Sequence, residues 1–437
     1  MIDPISSNLG LKQGCPLSPM LFNLYIDDIK NIFDKKCDPI DIQENDLYHF
    51  LYADDLVLLS NSPKGLQNSL DKLAEYAEAK GLTINIKKSK TMTFNLQGRL
   101  IKNVFNIKGI SLEPVNTFCY LGFEICPSGT VNHAMNSLRD KAGKAARPLM
   151  NAIAKFDLPV KTSIQLFHTY VSPILLYNVE NWSTLTDKKL KDYKDSDLYD
   201  NINSSKTDTM HRKYLKYILG LPKSSPNLAI YGETGETPLS LKGFRLMLNY
   251  WKRLITLPND SLAKIAYIEN VSLRTNWLQT IEKLNRTFKL VDVTNKTFTQ
   301  TAKGNIDVYF KNSWKHEIGN TDSPRLSIYK VINNDFTTAK HLDLPFYLRK
   351  VVSKIRCSSH ALEIEKGRHT GSPREDRICR NCQNGTIENE EHFLINCLTY
   401  QPLRDHFRLH FSNISQMSCH TSNNIRILWG IQRKNNE

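Results

Sequence analysis

The sequence predicts an α+β fold that runs on into a mostly helical region and ends in a small metal-binding module. Three observations predict it: helix and strand patterns alternate over residues 1–125, helical patterns dominate residues 126–345, and a Cys/His cluster sits in a basic region at 346–437. With 437 residues, 40% of them apolar, the chain has material for two or three domains with real cores.

The first element follows Gln13-Gly-Cys-Pro-Leu-Ser-Pro19. Ser18 reads as an N-cap with Pro19 at the first helical position, and Leu17, Met20, Leu21, Leu24, Tyr25, Ile29, Ile32 and Phe33 recur at helical spacing, as for an amphipathic helix packed on a core. Next, Phe50-Leu-Tyr-Ala-Asp-Asp-Leu-Val-Leu-Leu59 reads as a strand, a tight turn and a second strand, holding Asp54 and Asp55 over a buried hairpin. Leu66, Leu70, Leu73 and Ala77 then line one helix face before Gly81 supplies a stop, and Leu82-Thr-Ile-Asn-Ile86 alternates like a strand. Together these elements predict helices on one face of a largely antiparallel sheet. Helical patterns return at 134–156, 160–177, 211–219 and 241–257, and the polar stretch 184–210 reads as a loop or linker.

The charge balance is basic. Lys and Arg number 58 against 44 Asp and Glu, a formal +14 that favours a polyanionic partner such as nucleic acid. No apolar run is long enough to span a bilayer and no charged-then-apolar leader opens the sequence, so an intracellular protein without a membrane is expected, in the nucleus or a cytoplasmic ribonucleoprotein. The nine cysteines are an odd number, and three crowd between positions 379 and 397, which suits a metal site better than a disulfide framework.

Asp54 and Asp55 carry the sharpest chemistry. Adjacent carboxylates beside apolar material repel one another and lose hydration, and a divalent cation relieves both penalties; hard oxygen ligands suit magnesium. An ordinary acidic turn is the alternative reading of the dipeptide alone.

Four blocks decide between them: Gln13-Gly-Cys-Pro-Leu-Ser-Pro19, Tyr52-Ala-Asp-Asp55, Gly81-Leu-Thr-Ile-Asn-Ile-Lys-Lys-Ser89 and Phe118-Cys-Tyr-Leu-Gly122. In this order they resemble motifs B, C, D and E of the reverse transcriptases of non-LTR, LINE-type retrotransposons. The resemblance covers the first 125 residues, and Tyr231-Gly-Glu-Thr-Gly-Glu-Thr-Pro238 with Met247 to Leu254 resembles the family's downstream connector. It implies a partial polymerase palm, a helical thumb and connector, an RNA template and a DNA primer. By this resemblance Asp54 is a magnesium ligand and Asp55 a secondary ligand or a contributor to the field, since successive side chains on a hairpin need not face the same ion. Gln13 and Gly14 would sit where template and incoming nucleotide meet, and Tyr120, Leu121 and Gly122 would form the primer grip. Lys88 either places a cation near the triphosphate or lies solvated on a strand edge, and Leu121 is equally readable as core.

Near the C-terminus, Cys379-x2-Cys382-x9-His392-x4-Cys397 offers three thiols and an imidazole for a structural zinc site, with His392 the least secure ligand because its interval is long. The family resemblance implies a knuckle of this kind here. Lys350, Lys354, Arg356, Lys366, Arg368, Arg374, Arg377 and Arg380 precede or enter it, and either contact phosphates or form a solvated basic face.

The family's first catalytic carboxylate, motif A, lies upstream of the Gln-Gly block, as does its endonuclease domain. Twelve residues precede Gln13, and Asp3 before Pro4 does not suit an interior strand. The expectation is therefore a polymerase fragment that, by itself, polymerises very slowly or not at all. The alternative is a non-catalytic RNA- or DNA-binding protein of retrotransposon origin.

Overall fold

The structure is a computed structural model that describes residues 10, 14–182, 205–333 and 335–410. The chain divides into two compact units, Met1–Ala134 with Leu254–Thr275, and Met135–Arg253 with Asn276–Glu437.

In the first unit, α1 (Ser18–Tyr25) is followed by β1 (Ile40–Ile42), β2 (Asn45–Leu47), β3 (His49–Tyr52), β4 (Asp55–Leu58), α2 (Pro63–Ala79), β5 (Lys90–Thr91), β6 (Phe105–Ile107), β7 (Ile110–Pro114), β8 (Phe118–Tyr120) and β9 (Phe123–Ile125). Helix α2 starts where the Ser62 hydroxyl accepts from the Gly65 N–H at 3.2 Å, with Pro63 in its first turn. It ends at Gly81, whose φ of +66° turns the chain so that the Leu82 N–H reaches the Ala77 carbonyl at 2.7 Å. Between these caps it buries Leu70 and Ala74 against Phe105, Ile107 and Leu112, with Leu58, Leu66, Ile84 and Ile86 alongside. A second cluster joins Ile29, Phe33 and Cys37 to Leu56, Leu58, Leu73 and Tyr76. The helix Leu262–Ser272 also belongs to this unit, where Gln43 Nε2 donates to Glu269.

Three expectations are corrected here. The strands form four small sheets rather than one: β1–β2, β3–β4 and β8–β9 are antiparallel pairs, and the third sheet, β5–β7–β6, pairs β5 parallel to β7. The long stretch between β5 and β7, which includes β6, lets the chain return to run alongside β5 in the same direction. Leu82–Ile86 forms no strand. Ile84 and Ile86 pack on the α2 core, but Asn85 captures the backbone, its carbonyl accepting from Ser89 N and its side chain from Lys88 N.

Helix α1, finally, is not packed on a core. Leu17, Met20, Leu21, Leu24 and Tyr25 are 49–70% exposed, and the buried side chains are Ile26, Ile29 and Phe33 beyond its end, on or beside the 3-10 turn Asp27–Asn31. Helical spacing identifies an apolar face without identifying what covers it. Tyr25 anchors the helix end, its hydroxyl donating to the Lys80 carbonyl at 2.6 Å.

From α3 (Asn132–Phe156) and α4 (Val160–Tyr170) onward the described chain is helical, through Lys206–Ile218, Asn227–Thr234, Leu239–Thr256, Asn276–Thr287, Phe298–Asn320, Phe346–Arg356 and Glu363–Thr370. The helix expected over 160–177 breaks at Val171, and Ser172–Leu175 restarts with Pro173, which cannot donate into the preceding turn. Most of the polar stretch 184–210 lies outside the described residues, and a helix already runs from Lys206. The second unit's core centres on Trp314, whose indole N–H donates to the Leu228 carbonyl at 2.8 Å while its ring packs edge-on to Phe336 and Tyr329. Among the described residues, no helix is long and apolar enough to cross a membrane.

Candidate active-site hairpin and metal centre

Hairpin β3–β4 pairs His49 with Leu58, Phe50 with Val57, Leu51 with Leu56 and Tyr52 with Asp55, so Ala53 and Asp54 form a two-residue loop. Ala53 takes a φ of +53°, the left-handed conformation that fits the twist of tight hairpins. Asp54 is thereby presented at the tip, and Asp55 opens the return strand. The hairpin is not buried as expected: Phe50, Leu51, Tyr52, Ala53, Asp54 and Asp55 are all exposed. Of the hairpin, His49 packs against Phe33, and Leu56 and Leu58 reach the Ile29–Phe33 cluster, so the core covers the end of the ribbon away from the tip.

A second hairpin tip comes within electrostatic reach of the first. Tyr120 ends β8, and burial, with the charge of Asp55, holds its phenol above the ordinary range. Tyr120 pairs with Phe123, which leaves Leu121 and Gly122 as the loop, with φ of +46° and +82°. Two positive φ values suit a type I′ turn; glycine adopts this freely, whereas leucine stores strain. The sequence had marked these residues by resemblance, but the strain at Leu121 has no signal in the residue itself.

The other expected site residues are dispersed. Gly14 has a φ of +83° and precedes α1, so its backbone conformation accounts for glycine there. Gln13 lies outside the described residues. Lys88 is exposed on the turn capped by Asn85, not on a strand edge.

The donor chemistry at the first hairpin suits a hard divalent cation. Among the described residues, however, no group of three close ligands includes Asp54 and Asp55. A cation held by these two alone would keep most of its ligands as water.

The C-terminal cluster is fuller. The ligand atoms of Cys379, Cys382, His392 and Cys397 all lie within 4.8 Å of one another. The Cys379 and Cys397 sulfurs are 3.9 Å apart, and Cys382 Sγ is 3.4 Å from His392 Nε2. A turn built on the Ile378–Ile387 bridge and the Cys379 N–H to Thr386 carbonyl bond carries the first two thiols. The long interval from Cys382 to His392 is spanned by the Ile378–Ile387 bridge and by the His392 N–H donating to Asn389 Oδ1 at 2.7 Å. A π turn over His392–Asn396, in which the Cys397 N–H reaches the His392 carbonyl at 2.7 Å, then carries the chain to Cys397. His392, the least secure ligand by spacing, is thus brought to the thiols. Burial pushes the Cys379 thiol up to about 11, a cost that a bound metal offsets by taking the thiolate.

Half of the basic approach is already engaged. Arg356 is buried in a two-bond pair with Glu233, Arg377 donates to the Ser372 and Ile364 carbonyls, Arg368 pairs with Glu365 and Lys366 with Glu363. Beside the cluster, a cavity of about 710 Å³ is lined by Arg325, Arg368, Arg374 and Arg377 together with Glu365, Glu390 and Glu391, so its walls carry both signs.

Residues 3–125 match the reverse transcriptase (RNA-dependent DNA polymerase) family. The chain is 28% identical over 180 residues to a retrovirus-related Pol polyprotein from a type-1 retrotransposable element R2 of Popillia japonica, covering 39% of this chain and 28% of the relative. It is 30% identical over 232 residues to the corresponding protein of Bradysia coprophila, covering 51% and 24%. It is 24% identical over 294 residues to the RNA-directed DNA polymerase from mobile element jockey of Drosophila melanogaster, covering 63% and 29%. The chain spans less than a third of the length of each of these relatives.

Proposed function

We propose that this chain, whose residues 3–125 belong with the reverse transcriptases of non-LTR retrotransposons, contributes the metal-binding hairpin and primer-gripping hairpin of an RNA-directed DNA polymerase. One observation carries the reading: Asp54 sits at the tip of the β3–β4 hairpin and Asp55 opens its return strand, within residues 3–125 that match the reverse transcriptase family. Asp54 and Asp55 hold magnesium at the primer terminus. When bound, the cation lowers the pKa of the primer hydroxyl and neutralises charge on the leaving pyrophosphate. Tyr120, Leu121 and Gly122 hold the primer end, and Gly14 with Gln13 meets the template and nucleotide. Lys88, exposed on its turn, supplies a cation toward the triphosphate. Zinc on Cys379, Cys382, His392 and Cys397 is structural, since protein fills all four positions. RNA template and DNA primer are the partners, met through the basic surface.

The test is local oxidative cleavage. With ferrous iron in place of magnesium and peroxide added, the full chain bound to an RNA template and DNA primer should cut the primer next to its 3′ end. Asp54→Ala with Asp55→Ala should abolish the cut while the duplex stays bound. Cleavage scattered along the duplex, or unchanged in the double variant, would overturn the reading. Primer extension on a poly(A) template provides a second measure, with any incorporation expected to be lost in Asp54→Ala.

A further inference from the structure

A second cluster of metal-ligating side chains lies in the helical unit, apart from both sites above. His168 stands in the last turn of α4, His211 in the helix Lys206–Ile218, and Glu236 in the turn between the helices Asn227–Thr234 and Leu239–Thr256. One ligand atom from each lies within 4.8 Å of the other two. His168 Nε2 is 2.8 Å from Glu236 Oε2, and His211 Nε2 is 3.8 Å from the same oxygen.

His211 makes the cluster more than a hydrogen-bonded pair. It is fully buried, both of its ring nitrogens are without a hydrogen-bond partner, and Nε2 is the one that faces Glu236. A buried polar group left this way costs on the order of 1–3 kcal/mol, which a ligand at that nitrogen removes. His168 faces the site through Nε2, the nitrogen already within hydrogen-bond distance of Glu236 Oε2. Two cations lie nearby: Arg212, within reach of the Asp208 charge, and Lys242, which donates to Ser172 Oγ at 3.5 Å and also feels the charge of Glu236.

We propose that His168, His211 and Glu236 bind a divalent transition-metal ion, with zinc the fitting choice. Ligands about 2.0–2.2 Å from a tetrahedral zinc stand about 3.4 Å from one another, a value bracketed by the 2.8 and 3.8 Å separations seen here. Two imidazoles with one carboxylate suit zinc, iron or nickel and do not suit magnesium. The side chains of His168 and Glu236 are 32% and 22% exposed, which leaves the fourth position to water. Because its ligands come from three separate elements, the ion clasps α4, the helix Lys206–Ile218 and the Glu236 turn together. The site is independent of the polymerase reading.

The full chain, stripped of metal with a chelator and titrated with cobalt(II) in excess magnesium, which keeps cobalt off the Asp54–Asp55 tip, should take up about two equivalents, consistent with one site at each Cys/His or His/Glu cluster. The Cys/His centre gives strong thiolate-to-cobalt charge-transfer bands, and the His/Glu centre gives weak ligand-field bands without them. Glu236→Gln, which retains a polar partner for His168 and leaves helical circular dichroism unchanged, should lose the weak-band equivalent alone. Cys382→Ser should lose the thiolate bands and keep the other equivalent. Uptake of a single, thiolate-type equivalent by the unaltered chain, or two unchanged equivalents in Glu236→Gln, would overturn the proposal.

Discussion

Asp208 is fully buried, and its Oδ1 accepts from the backbone N–H groups of Leu239 and Ser240. Burial pushes its carboxyl from the ordinary value near 3.8 up to about 6. An acid whose folded pKa lies above its unfolded one holds its proton more tightly in the folded state, so its contribution to stability is full below pH 4 and declines as pH rises to 6. The loss is at most about 3 kcal/mol. Asp208→Asn keeps an oxygen for both N–H donors, and should flatten the fall in urea stability between pH 4 and 6; an unchanged slope would show that another group causes it. Leu121, at a φ of +46°, is strained differently. Leu121→Gly should relieve about 1 kcal/mol in the same unfolding measurement yet weaken primer binding, if the strain is kept for the grip. The acids at 54 and 55 were legible because their chemistry is unusual beside apolar residues. Leucine at 121 was not, since nothing in that side chain announces a left-handed backbone. The exposure of Asp54 and Asp55 was also hidden, because an apolar flank looks the same whether one face of a ribbon is covered or both are.

Pairs of elements are held by contacts that sequence periodicity does not register. The helix Asn227–Thr234 is tied to the helix Phe346–Arg356 by the Arg356 guanidinium, which donates to both Glu233 oxygens at 2.8 Å, with neither side chain more than 6% exposed. Glu233→Ala strips that buried cation of its carboxylate partner, and should cost about 3–5 kcal/mol in denaturant unfolding. A cost under about 1 kcal/mol would mean that Arg356 finds water on losing its partner. The connector block was legible as a motif, but the role of its glutamate rests on an arginine 123 positions away. At the Cys/His cluster the four ligands could be picked out by type, whereas the interval from Cys382 to His392 looked long for a zinc knuckle. The Ile378–Ile387 bridge folds that interval back, and the Asn389 side chain holds the His392 backbone, so the ring still reaches the thiols. His392→Ala should therefore lower zinc affinity by more than about 100-fold in competition with a chromophoric chelator, as for a true ligand. Helix α1 shows the opposite failure: its apolar spacing is real, and its face stays open among the described residues.

For the whole molecule, the formal +14 argues for a polyanionic partner, but net charge overstates how many cations can meet phosphate. Eight basic residues approach the Cys/His cluster in the sequence, and the fold uses Arg356, Arg377, Arg368 and Lys366 for internal bonds. Arg374 is exposed, and Arg380 is 80% exposed although 3.3 Å from Glu363. If this surface binds RNA or DNA, each phosphate neutralised releases condensed counterions, and the slope of log affinity against log salt steepens by roughly 0.7–0.9 per contact. Arg374→Gln and Arg380→Gln should each make that slope shallower by about 1 and weaken binding evenly across nucleic-acid sequences. Arg356→Gln should reduce stability, while at a temperature where the chain remains folded its slope stays unchanged. Fluorescence anisotropy with one single-stranded RNA at several salt concentrations separates these cases. Equal slopes for all three variants and the parent would remove this face from the interface and send the search for phosphate contacts to the basic residues of the first unit.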